Sequence, residues 1–142
     1  MKLPFTGGCM CGEIRYECLA EPMVTANCHC RDCQRVSGSA FLAGFIVPLN
    51  AVTIVGEVRY YDVIGDSGNI ISRGFCPTCG SRLFGKRATG DLLSITAASL
   101  DDPSWFRPKM DCYTASAQAW DYMNPDLPKF AQFPPINASM AN

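Results

Sequence analysis

The chain has 142 residues, 48% of them hydrophobic, with 12 basic and 13 acidic side chains and a formal net charge of −1. That length suits one domain with a buried core, and the even mixture of charges excludes the basic footprint of a nucleic-acid binder or a polybasic membrane anchor. The longest apolar run, Ala40 to Pro48, is too short to cross a bilayer.

Strand signals dominate the chain. Residues 1–8 carry no apolar stretch of the signal-peptide type, so the expected location is a reducing cytoplasm. Glu13 to Cys18 alternates strictly, with Ile14, Tyr16 and Cys18 on one face and charged residues on the other, which predicts a half-buried strand. Cys30 to Val36 fits a turn of helix. Phe41 to Val47 is a continuous apolar run of strand length. Val52–Val55, Val58–Val63 and Asn69–Phe75 are short β-branched and aromatic runs, punctuated by Gly56, Gly65, Gly68 and Gly74. Ser81–Phe84 and Asp91–Ala97 add two more strands. Asp101–Phe106, with Pro103 near its start, fits another helical turn. The strand signal weakens after Pro108. Pro125 to Pro135 reads as an extended surface segment, and the residues from Asn137 as a frayed tail. The expected architecture is a mostly β single domain of two small sheets, spanning residues 1–136.

Nine cysteines carry the chemistry. Seven fall into three tight motifs: Cys9-x-Cys11, Cys28-His29-Cys30-x-x-Cys33 and Cys76-x-x-Cys79-Gly80. In a reducing compartment such clusters point to metal binding more than to disulfides. Four thiolates at about 2.3 Å from a tetrahedral zinc close its coordination sphere, with sulfurs roughly 3.8 Å apart. Cys9, Cys11, Cys76 and Cys79 supply such a closed, structural site. The two pairs lie far apart in the chain, so one ion joining them would contribute folding free energy directly. Gly12 and Gly80 give their turns the conformational freedom to bring sulfurs together. Cys28, Cys30 and Cys33 supply three thiolates and leave a fourth position. His29, the chain's one histidine, points away from its neighbours in an extended C-x-C and reads as a surface or supporting residue. His29 or Asp32 could fill that position; with neither bound, a zinc with three thiolates keeps an open position that suits an incoming soft thiol. Cys18 and Cys112 stand alone and read as small buried hydrophobes.

The order Gly8-Cys9-x-Cys11-Gly12-x-Ile14-Arg15-Tyr16, then Cys28-His29-Cys30-x-x-Cys33 with Ser37-Gly38, then Phe75-Cys76-x-x-Cys79-Gly80-Ser81, resembles the glutathione-dependent formaldehyde-activating enzyme family, which includes relatives of centromere protein V. Weaker similarity continues through Ser99–Pro103, Trp120-Asp121 and Leu127–Phe130. The resemblance implies a zinc-bearing β-tent fold, with a structural ion at Cys9, Cys11, Cys76 and Cys79 and a second ion at Cys28, Cys30 and Cys33. It implies two zinc ions per chain and carbon–sulfur lyase chemistry, forming or breaking the adduct of glutathione, or another thiol, with formaldehyde or a related small aldehyde. One departure stands out: Asp111 occupies a position where family members often carry histidine.

Arg31 and Arg35 follow the open cluster and are candidate partners for substrate carboxylates. The alternative to an enzyme is a non-catalytic zinc module that docks a protein partner, through a patch of Trp105, Phe106, Trp120 and Tyr122. Core packing of those aromatics is the simpler expectation. The motifs of nucleotide-binding loops and of helix-borne histidine metalloproteases are missing from the sequence.

Overall fold

A computed structural model describes residues 1–135. Its strands in chain order are β1 (Phe5–Gly8), β2 (Arg15–Cys18), β3 (Val24–Cys28), β4 (Leu42–Pro48), β5 (Val52–Val55) and β6 (Arg59–Ile64). They continue with β7 (Ile70–Phe75), β8 (Arg82–Arg87), β9 (Leu92–Thr96), β10 (Asp111–Cys112) and β11 (Lys129–Phe130). The single α-helix among the described residues, α1 (Arg31–Ser37), follows β3. No helix there is long and apolar enough to cross a membrane. The expected frayed tail from Asn137 lies outside the described residues.

Two sheets form. The smaller has the order β1-β2-β5, and the larger β11-β10-β3-β4-β9-β8-β7-β6. The mostly β architecture therefore agrees with the sequence reading, although the second sheet is eight strands wide. Most pairings are antiparallel, but β10 lies parallel to both β3 and β11. These two-residue strands, with too few residues to show a period, carry no sequence signal of their own.

The alternation in β2 buries Tyr16 and Cys18, with Ile14 just ahead of the strand, as its pattern requires. These side chains and Phe5 meet Phe45, Val47, Leu83, Phe84, Leu93 and Ile95 from the larger sheet in one cluster. Each such large apolar side chain contributes roughly 1.5–3 kcal/mol on full burial. Trp105 and Phe106 pack on this core, with Trp105 edge-on to Phe45 at 5.6 Å between ring centroids. Trp120 and Tyr122 are exposed. The four aromatics of the expected docking patch thus divide, two into the core and two onto the surface.

The consequence for function is a sheet with two different faces. In β4 and β9, Phe45, Val47, Leu93 and Ile95 enter the core, while Ile46, Leu92 and Ser94 face a cleft of about 340 Å³. Arg73 of β7 and Gly85 of β8 line the same cleft.

Candidate metal centres

The first cluster sits where two turns meet. The turn after β1 carries Cys9 and Cys11, and the turn between β7 and β8 carries Cys76 and Cys79. All four sulfurs lie within 4.8 Å of one another. Cys9 and Cys11 Sγ are 3.4 Å apart, and Cys11 and Cys76 Sγ 3.7 Å, close to the spacing that a tetrahedral zinc imposes.

Local backbone explains how the sulfurs converge. Gly12 has φ 83° and Gly80 has φ 75°, both in the left-handed region that a side chain would strain. The Gly80 amide donates to Cys76 O at 2.9 Å, closing the C-x-x-C turn. Amide and hydroxyl donors face the sulfurs. Ile14 N–H donates to Cys9 Sγ at 3.2 Å, and Ser81 Oγ lies 3.2 Å from Cys79 Sγ. The Ser81 hydroxyl and then its amide pull the Cys79 thiol down to a pKa of about 5. Such donors offset the two negative charges left when four thiolates surround a divalent ion. The donor set fits a closed zinc site, and no position is left for a substrate.

The second cluster has the same compactness with one sulfur fewer. Cys28, Cys30 and Cys33 Sγ lie within 4.8 Å of one another. Cys28 ends β3. Cys30 is the N-cap of α1, its sulfur accepting from the Cys33 amide at 3.4 Å. Cys33 lies in the helix's first turn, and Gly38 closes the helix with φ 66°. The chain therefore turns from strand to helix across the ligands themselves.

Hydrogen bonds from Cys28 and Cys33 hold the Cys30 thiol well below its ordinary pKa. The Cys33 thiol is pushed up by Cys28 and Cys30, and the Cys28 thiol by Cys112 and Cys30. Three thiolates packed this closely would repel one another, and a positive ion among them would offset that repulsion. Soft donors at this spacing fit zinc. Tyr113 packs against this cluster and lines the cleft together with Phe133.

His29 turns away from the sulfurs, as the extended C-x-C geometry predicts, but it is buried at 1% exposure and not on the surface. Its Nε2 lies 3.2 Å from Asp111 Oδ1. Its Nδ1 lies 2.8 Å from Asp121 Oδ2, without the alignment of a hydrogen bond. Asn27 Nδ2 also donates to Asp111 Oδ1, at 3.0 Å. The His29 amide donates to Cys112 O, and Gln34 Nε2 donates to His29 O and Ser116 O. These bonds clamp the peptide between Cys28 and Cys30 to the chain's last third. Asp111 is therefore the carboxylate partner of the buried imidazole.

Cys112 is fully buried, as expected of a small hydrophobe, but it is not isolated. It pairs in register with Cys28 across β10 and β3 and lines the cleft. Arg31 and Arg35 lie on exposed positions of α1, and neither lines the cleft. Arg31 Nη1 donates back to Gln34 Oε1. The guanidinium groups that do line it belong to Arg73, Arg82 and Arg87. Arg73 Nη2 lies 3.3 Å from Asp32 Oδ2. Burial opposes its charge, yet Cys33 and Asp32 raise its pKa. Arg73 and Arg82 belong to no motif. Their only sequence signal is a charge at a strand position beside β-branched or aromatic residues.

Comparison with known proteins agrees with the motifs. The sequence pattern of the family described as "Glutathione-dependent formaldehyde-activating enzyme" matches residues 4–116. A Penicillium rubens protein, provisionally named as such an enzyme, is 34% identical over 87 residues, which are 58% of this chain and 45% of that protein. A Phaeosphaeria nodorum protein with the same provisional name is 26% identical over 123 residues, covering 79% of this chain and 63% of its own length. The chain thus spans less than two thirds of either relative. A crystal structure of a Rhodobacter sphaeroides protein superposes with a TM-score of 0.55 at 18% identity, over 88% of this chain and 98% of that one, a likeness of fold alone. With the family pattern spanning all seven clustered cysteines, the chain belongs to the glutathione-dependent formaldehyde-activating enzyme family.

Proposed function

We propose that the chain is a zinc-dependent carbon–sulfur lyase. Its substrate would be the adduct of glutathione, or another small thiol, with formaldehyde or a related small aldehyde. The observation that carries this reading is the sulfur trio. Three converging thiols, with no fourth ligand from the described residues, open on a cleft of about 340 Å³. Zinc held by Cys28, Cys30 and Cys33 would lower the pKa of an incoming thiol and host it as thiolate. A second zinc, at Cys9, Cys11, Cys76 and Cys79, would serve the fold.

The chain's own residues support that chemistry in three ways. The His29 clamp fixes the ligand-bearing turn, so the sulfurs keep their convergence when substrate enters. Arg73, tied to Asp32 and close to Cys33, offsets the negative charge of the thiolates. Tyr113 and Phe133 add apolar surface to the cleft lining, which would disfavour water beside the sulfurs. In the synthetic direction one carbon–sulfur bond forms and the thiol proton ends on the former carbonyl oxygen. No oxidant or reductant is needed. The reading places the protein in a reducing, cytoplasmic location, where clustered thiols stay available to metal. The names of the relatives attach glutathione and formaldehyde to those proteins, and their transfer to this chain is part of the proposal.

The test is exchange spectroscopy on isotopically labelled formaldehyde with glutathione at equilibrium. The protein should accelerate interconversion of free aldehyde and thiol adduct. Cys33→Ser should abolish the acceleration while leaving the fold intact. An exchange rate equal to the protein-free rate, with two zinc ions bound per chain, would overturn the lyase reading and favour a docking module.

A further inference from the structure

The cleft that the sulfur trio lines also holds a cation without a carboxylate partner among the described residues, although Cys33 favours its charge. Arg73 and Arg82 sit on neighbouring strands, where Arg73 pairs with Gly85 and Arg82 with Phe75 across an irregular register. Asp32 lies beside Arg73. Arg82 has no carboxylate within 4.0 Å among the described residues. Its one hydrogen bond runs from Nη1 to Gly74 O at 2.7 Å, and its buried Nε has no partner. Gly85 leaves room for the guanidinium: a Cβ there would lie 3.1 Å from Arg82 Nη2. Burial and the neighbouring Arg73 lower its pKa to about 10, so it remains charged at neutral pH. A partly desolvated cation is costly unless something pairs with it. The cleft is where that partner would come from, because both Arg82 and the three sulfurs line it. A planar guanidinium with unused N–H groups is suited to a carboxylate.

We propose that Arg82 binds a carboxylate carried by the entering thiol, so that the cleft selects acidic thiols over neutral ones. This rests on the thiol reading above and adds what that reading lacks, a residue that recognises the rest of the molecule. It also separates the two arginines. Arg73 is engaged by Asp32 and Cys33 and positions the ligand cluster, whereas Arg82 is left for the substrate.

The experiment is calorimetric titration of the zinc-loaded protein with glutathione, with glutathione dimethyl ester (same thiol, carboxylates neutralised) and with 2-mercaptoethanol. The wild type should bind glutathione roughly ten- to a hundred-fold more tightly than the ester, the range expected for one charge-assisted pair. Arg82→Gln should erase that preference by weakening glutathione alone, and Arg82→Lys should keep part of it. Zinc content and 2-mercaptoethanol binding should not change. Equal wild-type affinity for glutathione and its ester would overturn the inference while leaving the thiol reading in place. So would an Arg82→Gln protein that loses all three ligands equally, because Arg82 would then only balance the charge of the sulfur cluster. If none of the three binds to wild type, the thiol reading fails and takes this inference with it. Where Arg82→Gln does not fold, the wild-type comparison together with Arg82→Lys decides the matter: no preference in the wild type, or a preference undiminished in Arg82→Lys, overturns the assignment.

Discussion

Replacing Cys76 by serine tests whether the four-sulfur cluster is a cross-link. Cys76 is fully buried, and its sulfur lies 3.7 Å from that of Cys11 across a separation of 65 residues. If one ion ties these turns together, losing it frees a loop of that length in the unfolded chain. The chain-closure relation puts the loss at about 4 kcal/mol. The total stability of a domain this size is about 5–15 kcal/mol, so the tie is a large share of it. Burying an unpaired hydroxyl costs about 1–3 kcal/mol by itself, and that contribution has to be separated. Cys18→Ser provides the control. Cys18 is equally buried, and its thiol donates to Ala20 O at 3.4 Å, but it belongs to neither cluster. The assay is urea unfolding at neutral pH for the wild type and both variants, with zinc counted in each. Cys76→Ser should lose one zinc and unfold with about 4 kcal/mol less stability than Cys18→Ser, which keeps both. Equal losses in the two variants would refute the cross-link, whatever the zinc count.

The remaining predictions concern the clamp, the surface and a turn. His29→Ala leaves Asp111 and Asp121 buried without the imidazole, and should cost about 3–5 kcal/mol in thermal unfolding while metal analysis still finds both ions. Asp101 is held below the usual carboxylate range by the Arg15 guanidinium and then by the Thr6 hydroxyl. Its contribution is therefore present above the ordinary Asp pKa and fades as pH falls through the depressed value. Both partners are nearly half exposed, so Arg15→Ala should cost less than about 1 kcal/mol at pH 7 and nothing measurable near pH 2, by urea unfolding at the two pH values. Gly80→Ala has open space for its methyl but keeps a φ of 75°, and should lower stability by about 1–2 kcal/mol through backbone strain alone, measured in the same way.

Cysteine spacing was sufficient to pick out both groups of converging sulfurs that could hold a metal ion, because the reach of C-x-C and C-x-x-C is a property of a few consecutive residues. Likewise the alternation of Glu13 to Cys18 declared which face of β2 is buried, since strand parity is local. The sequence alone also ranked the sites, four sulfurs against three, by counting. Other features needed the folded chain. Arg73 and Arg82 became neighbours in a cleft only through the register of β7 on β8, and a shift of one residue would have turned either to the opposite face. His29 met Asp111 and Asp121, and Cys112 met Cys28, because two-residue strands dock in parallel at a sheet edge some 80 residues downstream. Those short segments have no period to read, so nothing local announces them. What the sequence determined was which sulfurs group together as candidate metal ligands, since proximity along the chain fixes their reach. Which charges surround them, and which of those charges is left without a partner, was decided by long-range strand pairing.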